Sequence, residues 1–324
     1  MKVAIAWSCQ RDTPDTDLRP TVEALAGALR ALGREPVSVP LGLDAAAFLR
    51  DIAAAGADVV WNLCEEASGR PGRELHAAAL VELGDLPVTG TSAAALALCL
   101  DKVVCRAVLA AAGVQLAAAV CMRDLDGPLP DALPLPAIVK PACQDGSVGI
   151  DRGSVCYSRS EVAAALARLE AADLLPALVE QYIDGREVSL LMLGPAAGPI
   201  HHWAFGEIDL SSVPDGEPRI LTYAGKWQPD SAEYLRTPSH YPASIEPALG
   251  ERLREAGARA FSALGLAGYA RVDFRIAADG QCFAIDVNGN PDISPDAGLQ
   301  RALPTLGLTF AEFVDLQLGW ARVR

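Results

Sequence analysis

An acid inside an apolar strand is costly to bury unless it is paired or bound to a metal, and this chain has two such strands in succession. Arg271-Val272-Asp273-Phe274 lies within the run from Ala270 to Ile276, and Asp286 lies within the run from Cys282 to Val287, with Asn288 directly after it. The intervening Ala278-Asp279-Gly280 is rich in turn residues, so the two runs are expected to pair as an antiparallel hairpin. Side chains alternate along a strand, which puts Asp286 and Asn288 on one face, and Asp273 of the partner strand can point to that face too. Three oxygen-bearing side chains gathered in this way suit magnesium, a hard cation that shares its remaining positions with phosphate and water. Strand-end residues solvated at a rim satisfy the same pattern.

Upstream, the first ninety residues alternate between strand and helix patterns. Val3 to Trp7 and Val59 to Leu63 read as buried strands, and Pro87 to Thr89 as a short one. Helices start at Pro20, after Asp44 and at Pro71. This rhythm implies a parallel sheet with helices on its faces. A second unit starts near Thr91. Asp101 caps a helix that runs to Gly113, strands are expected at Ala117 to Cys121, Ala137 to Lys140, Gly153 to Tyr157 and Leu178 to Ile183, and Ser160 is expected to cap a helix through Ala171. The third unit is richer in strands: Glu187 to Leu193, His201 to Leu210, Arg219 to Tyr223 and the hairpin, interrupted by a helix over Ile245 to Leu264. The expected domains are 1–90, an α/β unit; 91–183; and 184–324. The whole is α/β plus α+β, and 324 residues are enough for several cores.

Two further segments bear on chemistry. Lys140 ends an apolar run and precedes Ala142-Cys143-Gln144-Asp145-Gly146-Ser147-Val148-Gly149, a loop whose backbone N–H groups can cradle phosphate beside the ammonium. A turn with a solvated base looks the same, and neither a Walker nor a GxGxxG pattern is present. Glu180-Gln181-Tyr182-Ile183-Asp184-Gly185-Arg186-Glu187 ends a strand with exposed backbone, an apolar wall and an acid, a combination that suits a purine nucleoside; a plain turn between strands uses the same residues. With 27 basic and 41 acidic residues the net charge is −14, which argues against nucleic-acid or anionic-membrane partners and leaves small anions open. No apolar run approaches the ~20 residues of a membrane helix, and no secretory leader is evident, so a cytoplasmic location is expected. Eight cysteines show no zinc spacing and read as reduced, structural thiols.

Taken in order, these segments resemble the ATP-grasp superfamily, most closely the D-alanine–D-alanine ligase branch. The resemblance rests on PVTGTSAAALALCLDK, PAIVKPACQDGSVGI, LVEQYIDGREV, YAGKW, and ARVDF with DVNGNP. It implies an N-terminal parallel-sheet domain and a two-lobed clamp around ATP and two magnesium ions, with manganese as a substitute. It also implies an ADP-forming carboxylate–amine ligase acting on small carboxylate and amine substrates through an acyl phosphate, and relatives that commonly form homodimers. By motif, Lys102 and Lys140 resemble the lysines that hold the α- and β-phosphates, and Gly146 and Ser147 the loop that closes over them. Glu180, Gln181 and Ile183 match the stretch that reads adenine, and Glu187 the acid that reads ribose. Lys226 resembles the lysine at the γ-phosphate and Arg271 the arginine that stabilises the tetrahedral oxyanion. Asp273, Asp286 and Asn288 match the magnesium ligands, with Asp286 where glutamate is usual.

The departures fall on the substrate side. The N-terminal loop Trp7-Ser8-Cys9-Gln10-Arg11-Asp12 lacks the family's glutamate, Gly146 replaces a serine, and Trp227 replaces a tyrosine. Pro291-Asp292-Ile293-Ser294 stands where the family carries a glycine and a carboxylate-binding serine. The expectation is an intact ATP half and a redirected acceptor half, so that D-alanyl-D-alanine is not the product. A kinase or a non-catalytic nucleotide-binding regulator on the same scaffold are the alternatives. His201, His202 and Cys64 have no evident chemical partners and are expected to be structural.

Overall fold

A computed structural model describes residues 1–9, 18–67, 71–125 and 127–323. Gln10, Arg11 and Asp12 of the first loop lie outside the described residues. The chain begins with β1 (Lys2–Ser8), α1 (Arg19–Ala31), β2 (Glu35–Leu41), α2 (Ala45–Ala54), β3 (Val59–Leu63) and α3 (Glu74–Glu82). The strands form a parallel sheet in the order β2-β1-β3. Asp44 caps α2 through Ala46 N and Ala47 N. Strand β2 escaped the sequence reading because Pro36 and Pro40 interrupt it; both are tolerated because β2 is an edge strand. The short strand expected at Pro87 to Thr89 is reduced to single bridges from Val88 to Val60 and to Arg322, since Pro87 brings no N–H and the chain turns away at Gly90, φ +75°.

Next come α4 (Ala93–Leu100), α5 (Lys102–Ala111), β4 (Ala119–Met122), β5 (Ala137–Pro141), β6 (Val155–Cys156), α6 (Arg159–Ala171) and β7 (Ala177–Gln181). Their strands make an antiparallel sheet, β4-β7-β5-β6. Helix α6 is capped by Ser158 rather than Ser160; its hydroxyl accepts from Glu161 N. Met122, Val139, Val162, Leu166 and Val179 build a core confined to this sheet and α6.

The last stretch comprises β8 (Gly185–Gly194), β9 (His202–Ile208), α7 (Tyr223–Trp227), α8 (Ala232–Arg236), β10 (Ser239–His240), α9 (Pro247–Leu264), β11 (Gly268–Ala277), β12 (Cys282–Asn288), α10 (Gly298–Ala302) and α11 (Phe310–Trp320). The sheet order is β10-β9-β8-β11-β12, antiparallel throughout. The strand expected over Arg219 to Tyr223 does not form. Thr222 instead accepts from Gly225 N and starts α7. His202 opens β9, and the His201 ring stacks on Trp320.

Alternation along β11 decides which side chains serve the site. Ala270, Val272, Phe274 and Ile276 pack with α9 and with Cys105 and Leu109 of α5, so Arg271, Asp273 and Arg275 take the opposite face. Gly257 lets α9 sit close on the sheet, because a Cβ there would lie 2.6 Å from Leu190 Cδ2. A separate core joins Ile5, Trp61, α1 and α11 to Leu191, Leu193 and Tyr269, fusing the first sheet to the third. Among the described residues no helix is long and apolar enough to cross a membrane, and all eight cysteines are free thiols.

Candidate active site

The antiparallel hairpin forms as expected, with Asp273 opposite Asp286 and Arg271 opposite Asn288. Its register shifts between Asp273 and Phe274, leaving Ile285 as an extra residue on β12. Ala284 and Val287 both face the core although they are three residues apart, which strict alternation forbids and this bulge allows. The bulge re-aims β12, and Ile285 and Asp286 both line a cleft of about 930 Å³, part of it open to solvent. The same cleft is lined by Lys102, Lys140, Gly146, Ser147, Glu180, Gln181, Ile183, Glu187, Lys226, Arg271 and Asp273. Asn288 is the one residue read from the sequence that does not line it; its Oδ1 accepts from Asn290 N at 2.8 Å.

The charges in this cleft are matched in pairs. Arg271 donates to both carboxylate oxygens of Asp273, Nε at 2.8 Å and Nη2 at 2.9 Å, and this pairing pushes its pKa up despite burial. Lys102 stands at the start of α5, with its ammonium 2.9 Å from Asp286 and 3.1 Å from Asp145. Burial alone would lower the lysine and raise Asp286. The attraction outweighs burial, so Lys102 is shifted up and Asp286 down. Lys140 contacts the Glu180 carboxylate and donates to the Ile285 carbonyl at 3.1 Å. Glu187 is held by Arg275 Nη2 at 2.8 Å, and Arg275 also binds the carbonyls of Gly185 and Arg219. Lys226 differs: burial and the neighbouring Arg271 lower its pKa.

The glycine loop is tied to the segment bearing Lys226. Gly146 and Ser147 adopt φ of +64° and +61°, a left-handed turn that glycine accepts readily and serine does not. Trp227 Nε1 donates to the Gly146 carbonyl at 2.7 Å, and Tyr223 N to Ile150 O at 3.0 Å. Arg152 adds ion pairs to Glu217 and Glu233, each 2.8 Å. The two loops thus form one cover over the cleft.

The end next to the first sheet is acidic. Burial and then Asp292 push Glu65 to about 8, although the residue keeps exposed surface of its own. Burial and then Asp145 push Glu74 to about 8, while Asn290 Nδ2 donates to it at 3.1 Å. Asn290 Oδ1 accepts from the Tyr269 hydroxyl at 2.8 Å. Asp292 accepts from Ser294 N and Oγ at 2.7 and 2.8 Å. Cys64 is fully buried, and desolvation pushes its thiol up, which leaves it unsuited to nucleophilic work.

Among the described residues no three His, Cys, Asp or Glu side chains form a metal cage. Two facing carboxylates, Asp273 and Asp286, with the Asn288 amide at the strand end, still form a hard-oxygen donor set. That set fits magnesium, which takes few protein ligands and keeps water and phosphate for the rest. Sequence reasoning missed Arg106, Asp145, Arg275 and Glu74, whereas the segment Asn62 to Glu66 at the end of β3 can be read either as pocket lining or as a polar loop. Arg106 follows Lys102 by one helical turn and Arg275 shares the face of Asp273, so spacing alone could have found both; Glu74 comes beside Asp145, Asn290 and Glu65 through the fold alone.

An α/β sheet followed by two antiparallel lobes that enclose a charged cleft is the ATP-grasp architecture of ATP-dependent carbon–nitrogen ligases. The fold of the D-alanine–D-alanine ligase from Bacillus anthracis complexed with ATP superposes with a TM-score of 0.74 at 17% identity, covering 99% of this chain and 97% of that one. The VanG D-Ala:D-Ser ligase from Enterococcus faecalis gives 0.75 at 19%, covering 98% of each. Residues 118–318 match the model of the D-ala D-ala ligase C-terminus. The D-alanine–D-alanine ligase of Syntrophotalea carbinolica is 31% identical over 326 residues, covering 100% of this chain and 97% of the relative. The chain belongs to the D-alanine–D-alanine ligase family.

Proposed function

We propose that the chain is an ADP-forming carboxylate–amine ligase that makes an amide, dipeptide-like bond through an acyl phosphate, with an acceptor other than D-alanine. The observation that carries this reading is the convergence of Lys102, Lys140, Lys226 and Arg271 with Asp273 and Asp286 in one cleft. The division of labour follows the sheets: 1–90 holds the substrate side, 91–183 the phosphate loop and 184–324 the metal ligands. Lys102 and Lys140 would hold the α- and β-phosphates of ATP, and Lys226 the γ-phosphate. The backbone around Glu180, Gln181 and Ile183 would face adenine and Glu187 the ribose. Magnesium held by Asp273, Asp286 and Asn288 would supply charge neutralisation at the triphosphate. A substrate carboxylate that takes the γ-phosphoryl group becomes an acyl phosphate; an amine then displaces phosphate, losing a proton as the amide forms. Arg271 would stabilise the oxyanion of that displacement, and the cover pinned by Trp227 would exclude water.

The acidic end supports redirection of the acceptor. Burial holds the Glu65 and Glu74 carboxyls protonated up to about pH 8, so each can give up its proton to meet an incoming cationic amine, and Asp292 stands beside Glu65. Of the relatives named above, those of Syntrophotalea carbinolica and Bacillus anthracis are D-alanine–D-alanine ligases and VanG is a D-Ala:D-Ser ligase, so D-alanine belongs in the first screen. ADP release measured with magnesium across amino acids and small dipeptides tests the reading. Amine-dependent ADP and hydroxamate formation with hydroxylamine are expected. Efficient D-alanyl-D-alanine synthesis would end the claim of redirection, and a stable phosphorylated product formed without any amine would make the protein a kinase.

A further inference from the structure

Glu180 sits on the cleft floor between two cations, of which one lines the cleft. Lys140 Nζ lies 2.5 Å from its Oε2 and faces the cleft. Arg106 meets Oε1 with Nη1, outside the lining, and with Nη2 binds the main-chain carbonyl of Ala117. The glutamate is 1% exposed, so its charge is compensated by these side chains rather than by solvent. Two cations around one carboxylate leave a net charge of +1, and Lys140 is the member that presents it. Without Arg106 the remaining pair would be neutral, and an anion entering the cleft would meet a lysine whose field Glu180 cancels.

We propose that Arg106 is a positioning residue of the nucleotide site, holding Glu180 so that the Lys140 ammonium keeps its place and its net charge for a triphosphate. The inference rests on the reading that the cleft takes ATP. Helix α5 then supplies both phosphate lysines with their settings. Lys102 reaches the cleft directly, and Arg106, one turn later, sets Lys140 through Glu180. The fork geometry matters, because a guanidinium can hold the carboxylate and the Ala117 carbonyl together, whereas an ammonium is a single point of charge.

Calorimetric titration of the full chain with ATP and magnesium tests this. Arg106→Ala is expected to weaken ATP binding about tenfold, with the loss appearing in KM for ATP rather than in kcat. The double variant Arg106→Ala/Glu180→Gln should recover most of the loss, since no uncompensated carboxylate remains; a mere packing defect would not be repaired. If thermal melting shows Arg106→Ala to be unfolded, the same comparison runs between Arg106→Gln and Arg106→Gln/Glu180→Gln. A folded single variant that binds ATP as the parent does, or a double variant no better than the single, overturns the role of Arg106. A parent chain that takes up no ATP overturns the nucleotide reading of the cleft instead.

Discussion

The two ends of the cleft treat charge in opposite ways. At the phosphate end each acid has a cation: Asp273 has Arg271, Asp286 and Asp145 share Lys102, Glu180 has Lys140, and Glu187 has Arg275. At the acceptor end Glu65 and Glu74 have raised pKa values of about 8, and Glu74 accepts its hydrogen bond from an uncharged amide, Asn290. A paired end is preset for a highly charged ligand whose position must not vary. An end with surplus acid gains most from a ligand that brings positive charge of its own, and this places specificity there.

The largest effect should come from breaking the paired end. Asp273→Ala or Asp286→Ala is expected to cut ADP release about 10³-fold in a chain that still folds, with a lowered Tm because Arg271 or Lys102 loses its buried partner, and chelation of magnesium should cut ADP release likewise in the parent without that loss of Tm. Activity surviving both substitutions would remove the metal assignment. Lys226→Met should cost about 10²-fold in kcat. Lys226 must be charged to serve phosphate, and its pKa in the ligand-free cleft is lowered from the ordinary 10.5; the alkaline limb of kcat/KM for ATP, which reports the free protein, should therefore fall below that value, and Lys226→Arg should move it up. Trp227→Phe removes the N–H that binds Gly146 and should lower kcat about fivefold. Acceptor-independent ATP hydrolysis should rise in that variant as the cover loosens. The smallest effect tests the acidic end. Glu74 has a folded pKa raised from 4.5 to about 8, so its stabilising contribution is complete below pH 4.5 and is lost as pH rises through about 8. Glu74→Gln should raise the Tm by about 2 °C at pH 9 and change it little at pH 5.

Local pattern carried much of the architecture. Apolar runs, caps such as Asp44 and Asp101, and the Ala278-Asp279-Gly280 turn located most helices and the hairpin. What escaped depends on neighbours distant in sequence. Pro36 and Pro40 disguise β2 until its edge position is known. Thr222 turns an apparent strand into a helix start. Alternation counted back from Asp286 puts Ala284 on its own face, and the one-residue bulge that separates them cannot be read from composition. Ion pairs such as Arg106 with Glu180 join residues 74 apart; helix spacing puts Arg106 beside Lys102, but its partner is known only once β7 lies against β4 and β5.

The fused core between the first and third sheets has a mechanical meaning. Ile5, Trp61, Leu191, Tyr269 and Phe313 interlock as one apolar mass, while the four-stranded sheet keeps a core of its own with α6. Across the mouth, that sheet meets the rest through polar links such as Lys140 to Ile285 and Trp227 to Gly146. Such links exchange with water at small cost, and an apolar mass does not separate so easily. The joins therefore differ in kind: the outer sheets share one apolar mass, whereas the middle sheet is held across the mouth by hydrogen bonds that water can replace.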